Sequence, residues 1–368
     1  MPRKTLSCCL VVQNEQSKIK ECLDRIDILA DEIVIVDTGS TDKTCEIITL
    51  WVRQKRAEKN VKLLKIGSRF HDEDGDFNFG KAKTFAFSQA TKDFVMWLDA
   101  SDRVRKQKAI KMAFIKETNK NSNIYIVLPS ALSKTFAFNR IRIGPRVNAM
   151  MDGMIHETMK FNIELTRIFF PIPIMNFKKR RNLERNMKIL LKEWNRNKTS
   201  RTCFYIANTY KEQRNNEEAL KWFRKRIYEF DFKNDFQEEH FKALECIADI
   251  VLEIKKSDTI SISDLNDIAQ EMIQKEPTRV EGYYYLARYY MENSEWEKAI
   301  NELRKYKSCK RPGNHKLWLN PHIYGGKGIL NAIEKCKTAL KYNKVLVPEQ
   351  IMDYGPKSTF KGGNAQYS

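Results

Sequence analysis

Short continuous apolar runs alternate with amphipathic stretches over the first third of the chain, and each pattern predicts a different element. Runs near 5–12, 32–37, 61–66, 93–98 and 123–128 are mainly apolar and bounded by turn residues. They read as strands buried on both faces of an open sheet. Helical spacing near 15–28, 42–58 and 80–91 fills the gaps, which is the βαβ pattern of an α/β fold with helices on both faces of the sheet. Between 134 and 177 the pattern loosens. The segment 135–143 reads as a hairpin or one bent strand, and Pro171 and Pro173 mark an edge or linker before the next element.

From Arg180 onward the spacing is helical. Leu183, Met187, Leu190, Leu191 and Trp194 share one face, with Arg181, Arg185, Lys188, Lys192 and Arg196 on the other. That basic stripe either tracks phosphates or faces solvent. A repeat follows: Phe204, Ala207 and Tyr210 lead to Ala219, Leu220 and Phe223, echoed by Leu286, Ala287 and Tyr290 leading to Ala299, Ile300 and Leu303. A degenerate copy between 241 and 277 carries Ala248 and Ala269. The spacing resembles tetratricopeptide repeats, with small residues where paired helices cross. The expected organisation is an α/β domain over 1–178, an all-α tetratricopeptide-like domain over 179–311, and a C-terminal segment over 312–368 with one helix near 328–342 and a frayed tail.

With 368 residues, 42% hydrophobic and 31% charged, the chain has the composition of a soluble globular protein of about two domains. Its formal net charge of +19 points to an anionic partner or to a lysine-rich solvated surface. No apolar stretch is long enough to span a membrane, and the first strand begins close to Met1, so no signal peptide is expected. Eight cysteines without C-x-x-C spacing favour reduced thiols and a cytoplasmic location.

The acids at the strand ends carry the candidate chemistry. Asp37 and Asp99 close two separate strands, at the rim where open α/β sheets bind ligands. Either one also reads as a cap of the turn that follows it. Asp37 is placed to accept from a base N–H and Asp99 from ribose hydroxyls. Ser40, Thr41 and Asp42 are candidate N-caps. Lys81 and Lys83 open a helix where backbone N–H groups favour an anion such as a diphosphate, or they are simply exposed lysines on an amphipathic helix. Asp99 and Asp102, with His156 as a third, are the ligands on offer for a divalent ion, and Glu157 is a candidate general base. The absence of G-x-G-x-x-G, G-x-x-x-x-G-K-[ST] and H-E-x-x-H argues against dehydrogenase, NTPase and zinc protease readings.

Together, Val11-Val-Gln-Asn14-Glu15, Asp37-Thr-Gly-Ser-Thr-Asp42-Lys-Thr44, Phe79-Gly-Lys-Ala-Lys-Thr-Phe-Ala86, Trp97-Leu-Asp99-Ala-Ser-Asp102 and Ile155-His156-Glu157 resemble family 2 inverting glycosyltransferases of GT-A fold. The architecture is similar to bacterial members with tetratricopeptide-like helices after the catalytic domain, among them the sublancin-type peptide glycosyltransferases. The resemblance implies a nucleotide diphosphate sugar donor held by Asn14, Glu15, Asp37, Lys81, Lys83 and Asp99, with Glu157 and His156 catalytic. It also implies Mn2+ or Mg2+ at a D-x-D motif that begins at Asp99. Three positions depart from the family pattern. Ser101 replaces the second acid of that motif, leaving Asp102 or a water-mediated contact from Asp99 as alternatives. Lys83-Thr84 stands where relatives have Arg-Asn, which keeps the charge but not the two-pronged phosphate contact. Asn78 stands where an aspartate is frequent. The acceptors the resemblance allows include a cytoplasmic peptide or protein and a hydroxymethylated base of phage DNA. The competing expectation is a catalytically degenerate GT-A domain in a repeat scaffold that binds a protein or nucleic acid.

Overall fold

The computed structural model describes residues 2–55, 60–73, 75–131, 137–176, 182–231, 237–254, 261–305, 308–309, 323 and 327–345. Strands and helices alternate first, as β1 (Leu6–Val12), α1 (Ile19–Ile26), β2 (Glu32–Asp37), α2 (Thr44–Lys55), β3 (Asn60–Lys65), α3 (Phe79–Ser88) and β4 (Phe94–Leu98). After β5 (Asp102–Val104) and α4 (Gln107–Lys120) come six strands: β6 (Ile124–Ala131), β7 (Ala137–Pro145), β8 (Ala149–Asp152), β9 (Thr158–Phe161), β10 (Thr166–Phe169) and β11 (Ile174–Asn176). The remainder is helical: α5 (Leu183–Arg196), α6 (Ser200–Glu212), α7 (Asn216–Tyr228), α8 (Gln237–Ile254), α9 (Ile262–Lys275), α10 (Val280–Glu292), α11 (Trp296–Arg304) and α12 (Lys327–Val345).

The main sheet runs β3-β2-β1-β4-β7-β6-β11-β5, with β10 beside β6. The first four strands are parallel, and β7 then enters antiparallel between β4 and β6, with a register shift at Ile126/Val127. The segment expected as a hairpin or bent strand is therefore one strand that turns a parallel sheet into a mixed one. Its first residues, Thr135 and Phe136, lie outside the described residues, as do Arg181, the expected domain boundaries at 178/179 and 311/312, and the tail. Side chains alternate across the pleat. Leu6, Cys8 and Leu10 of β1 join Ile33, Ile35, Phe94 and Met96 beneath α1, α2 and α4. On the opposite face Cys9 joins Val34, Val36, Val95 and Trp97 beneath α3 and the β8–β9 hairpin. Both faces are covered, which is why these runs are mainly apolar without alternation.

Helix α4 has no counterpart among the expected elements. Its buried stripe is narrow, Ile110, Phe114 and Thr118, while Met112 is exposed between lysines. Thr118 fits that stripe because its hydroxyl donates to the Phe114 carbonyl at 2.7 Å. In the helical region α6 packs on α7, α8 on α9, and α10 on α11. The alanines of all three copies, Ala207, Ala219, Ala248, Ala269, Ala287 and Ala299, are fully buried in one continuous core. Ile329, Ala332 and Cys336 of α12 join the same core.

Candidate active site

The rim of the sheet is built from two interlocked loops. Gly39, at φ +101, gives the chain after β2 a tight turn, and the Asp37 carboxylate accepts from the Gly39 and Ser40 amides and from the Ser40 hydroxyl. The turn-capping role of Asp37 is thus realised in the fold. Asn14, itself at φ +53, accepts from the amides of Thr41 at 2.8 Å and Asp42 at 3.3 Å. The Glu15 amide donates to the Thr44 hydroxyl at 2.8 Å, and the Glu15 carboxylate lies 3.2 Å from Lys18. The loops after β1 and β2 therefore form one tied unit.

A charged cluster lies next to it, around Trp97. Lys83 sits in the second turn of α3, whose N-terminus is capped by the Asn78 side chain accepting from Lys81 N at 2.8 Å. This capping is a physical use for an asparagine where relatives have an acid. Lys83 is only 4% exposed, and its ammonium contacts both the Glu157 carboxylate and, at 3.1 Å, Asp99. It also lies 4.2 Å from the Trp97 ring centre, an attraction that helps hold a buried cation. Burial alone would lower the Lys83 pKa, but Asp99 and Glu157 outweigh it and raise it. Burial would raise that of Asp99, yet Lys83, Arg142 and Arg140 hold it down at about 2. Both groups are therefore charged throughout the neutral range. Lys81, in contrast, is exposed.

Asp102 has a different setting. It opens β5, is 1% exposed, and pairs with Arg142 of β7 at 2.8 Å. Arg142 also donates to Ser130 Oγ at 2.8 Å and lies 3.9 Å from the Trp97 ring centre. The second Asp102 oxygen lies 3.4 Å from Arg142 Nη2, and Asp102 Oδ2 further accepts from the Asp99 amide at 3.0 Å. Its lone pairs are directed at the fold. Arg142, Arg140 and Trp97 carry this centre and had no role assigned from sequence. The signal was present as two arginines at alternate positions of an otherwise apolar strand, which places them on one face.

The loop from β8 to β9 supplies Glu157. Its approach to α3 is close: the Phe79 amide donates to Met154 O at 3.1 Å, and a Cβ on Gly80 would collide with the Gly153 carbonyl. His156 does not face Asp99 as a third ligand. Its ring stacks on Tyr205 of α6, with centroids 4.1 Å apart and planes 4° from parallel. Among the described residues no group of three acidic, histidine or cysteine side chains converges to hold a metal ion. Of the three expected ligands, Asp99 fits a divalent ion, since its side chain is 38% exposed. Such an ion would take its other oxygens from phosphates and water.

The basic stripe of α5 is met in part by acids of the loop before α3. Lys192 lies 2.5 Å from Asp72 and 3.6 Å from Asp76, Lys188 3.6 Å from Asp76, and Arg196 3.9 Å from Asp72. Lys192 is thereby committed to a contact within the molecule, whereas Lys188 and Arg196 stay largely exposed and Arg185 lies 5.9 Å from the Phe79 ring centre.

Residues 7–183 match the sequence model described as Glycosyl transferase family 2. This part of the chain is a glycosyltransferase domain of that family, of GT-A type, followed by tetratricopeptide-like helices. Glycosyltransferase SunS of Bacillus phage SPbeta is 28% identical over 109 residues, covering 30% of this chain and 23% of that protein. A TPR repeat-containing protein of Synechococcus elongatus is 31% identical over 99 residues, covering 27% and 21%. The match thus spans less than a quarter of either relative. Among solved structures, mannosyltransferase PcManGT from Pyrobaculum calidifontis in complex with GDP-Man and Mn2+ gives a TM-score of 0.41 at 13% identity, covering 83% of this chain and 87% of that one. TarS 1-349 of S. aureus in complex with UDP-GlcNAc gives 0.36 at 12%, covering 83% and 92%.

Proposed function

We propose that the chain transfers a hexosyl or pentosyl group, with inversion, from a nucleotide diphosphate sugar to a cytoplasmic macromolecular acceptor. The observation that carries this reading is Lys83 bridging Asp99 and Glu157 within a family 2 glycosyltransferase domain. The tied loops around Asn14, Glu15 and Asp37 form the nucleoside end of the donor site, and Lys83, with Lys81 nearby on α3, the diphosphate end. Glu157 takes the proton from an acceptor hydroxyl, and the acceptor oxygen bonds to the anomeric carbon from the face opposite the diphosphate. The bond to the diphosphate oxygen breaks, its electron pair leaves with the nucleotide, and Glu157 returns the proton to solvent. Mn2+ or Mg2+ at Asp99 would add charge stabilisation for the leaving diphosphate. His156 acts through the loop it holds.

A peptide or protein acceptor is favoured over DNA, because Lys192 at the centre of the α5 stripe is turned to Asp72 and Asp76. The net charge of +19 keeps a hydroxymethylated DNA base as the second reading. A cytoplasmic setting is supported by eight thiols, none in a disulfide, and no described helix is long and apolar enough to cross a membrane.

The test is melting temperature against UDP, GDP, CDP and ADP, each with and without Mn2+ or Mg2+. One nucleotide at a hundred times its dissociation constant adds about 2.7 kcal/mol to stability, and Asp99→Ala removes the shift. Glu157→Gln keeps the shift and loses sugar transfer. No shift with any nucleotide would transfer support to the degenerate scaffold, whose favouring observation is Ser101 in the place of an acid. DNA as acceptor is separated by salt, since activity on it must fall steeply as ionic strength rises.

A further inference from the structure

The segment Gly153–Glu157, which α3 contacts through Phe79 and Gly80, is also held by the helical region at every residue from Met154 to His156. The Met154 amide hydrogen-bonds the Glu193 carboxylate of α5. Ile155 packs into the cluster of Met187, Leu190, Trp194, Cys203 and Ile206 contributed by α5 and α6. His156 adopts φ +57, a left-handed conformation that is strained for a non-glycine residue and persists only where the surroundings impose it. Two residues of α6 supply that surrounding. Tyr205 stacks on the His156 ring, and Arg201 Nη2 donates to the His156 carbonyl at 2.9 Å. Arg201 is fixed in turn by Glu239 of α8, which is fully buried, and lies 5.0 Å from the Tyr205 ring centre.

The next residue is Glu157. A left-handed residue immediately before it sets the direction in which the chain enters β9, and with it whether the carboxylate meets Lys83. We propose that Arg201 and Tyr205 are positioning residues for the catalytic loop, so that the helical region is part of the transfer machinery and not only a platform for the acceptor. The inference rests on Glu157 being the base, but the clamp itself is a property of the fold and is measured separately.

The experiment is amide hydrogen exchange on the full chain, combined with transfer kinetics. The variants are Tyr205→Leu and the double variant Arg201→Met with Glu239→Gln, the second change avoiding a buried unpaired carboxylate. In both, exchange at 153–158 is expected to rise by about tenfold or more while α9 to α11 remain protected. Donor KM stays within about twofold and kcat falls on the order of a hundredfold, as for a displaced catalytic group. Unchanged exchange at 153–158 overturns the proposal, as does opening of the loop only together with the whole helical region in both variants. If the wild-type chain transfers no sugar, the functional reading fails, and loop exchange still decides the clamp.

Discussion

Arg142 and Asp102 are both fully buried and answer one another across the sheet. Removing one partner of such a pair leaves a charge without compensation, whereas replacing both with apolar groups does not. Arg142→Met is therefore expected to cost about 3–5 kcal/mol in urea unfolding, and Arg142→Met with Asp102→Leu to recover most of that loss. Equal losses in the single and double variants would show that the arginine stabilises through Trp97 and Ser130 instead. At this scale Asp37 and Asp99 were readable from sequence because each ends an apolar run. Their partners were not, because the pairing of Asp102 with Arg142 and of Lys83 with Glu157 spans strands and helices far apart along the chain. Only the folded sheet brings them within contact.

The helical repeats carry a shared local feature at the level of the element. Arg214 after α6 and Ser294 after α10 fall at the same offset from the repeat alanines, and both are exposed with φ near +60. A glycine there relieves roughly 1–2 kcal/mol of steric cost and returns part of it as unfolded-chain entropy. Arg214→Gly and Ser294→Gly should each raise stability by about 0.5–1 kcal/mol, read as an increase in melting temperature. A decrease would mean that the side chains hold the turn. His240 of α8 gives the region a pH dependence. Burial pushes its imidazole below the ordinary value of 6.5, against the pull of Glu271, 3.7 Å away. The unfolded chain then binds the proton more readily than the folded one. The stability associated with the neutral ring is complete above pH 6.5 and is lost as pH falls through the lowered folded value. Between pH 7.5 and 5, the wild type should lose more melting temperature than His240→Gln, and parallel curves would remove His240 as the cause. The paired helices themselves were legible from the alanine spacing. Helix α4 was not, because its stripe is completed by a threonine whose hydroxyl bonds within the helix.

For the whole molecule, the decisive contact is between α5 and the loop that leads into α3. Lys192 is 17% exposed, between Asp72 at 18% and Asp76 at 9%. Lys192→Glu would gather three carboxylates at one partly buried point, with an expected loss of about 2 kcal/mol or more and faster amide exchange in 75–80. Because Asn78 caps α3 from that same loop, donor affinity should fall with it, which a nucleotide melting-shift titration reads directly. Unaltered exchange and affinity would mean that the pairing of Lys192 with Asp72 and Asp76 does not hold this loop in place.

The sequence by itself determined β1 to β4 and β6, most of the helices and the order of an α/β part before a helical part, and it marked Asp37, Asp99 and Glu157 as candidates, since these follow from periodicity and from motifs local to a few residues, whereas the short strands β5 and β8 to β11 carry too little pattern to be read. Tertiary structure alone decided the partners of the charges: Lys83 between two carboxylates, Asp102 turned to Arg142, the α5 lysines turned to Asp72 and Asp76, and His156 against Tyr205. The reason is physical. Burial and helical or strand period are written into neighbouring residues, whereas the partner of a charge depends on which distant elements the sheet and the helix pairs bring side by side.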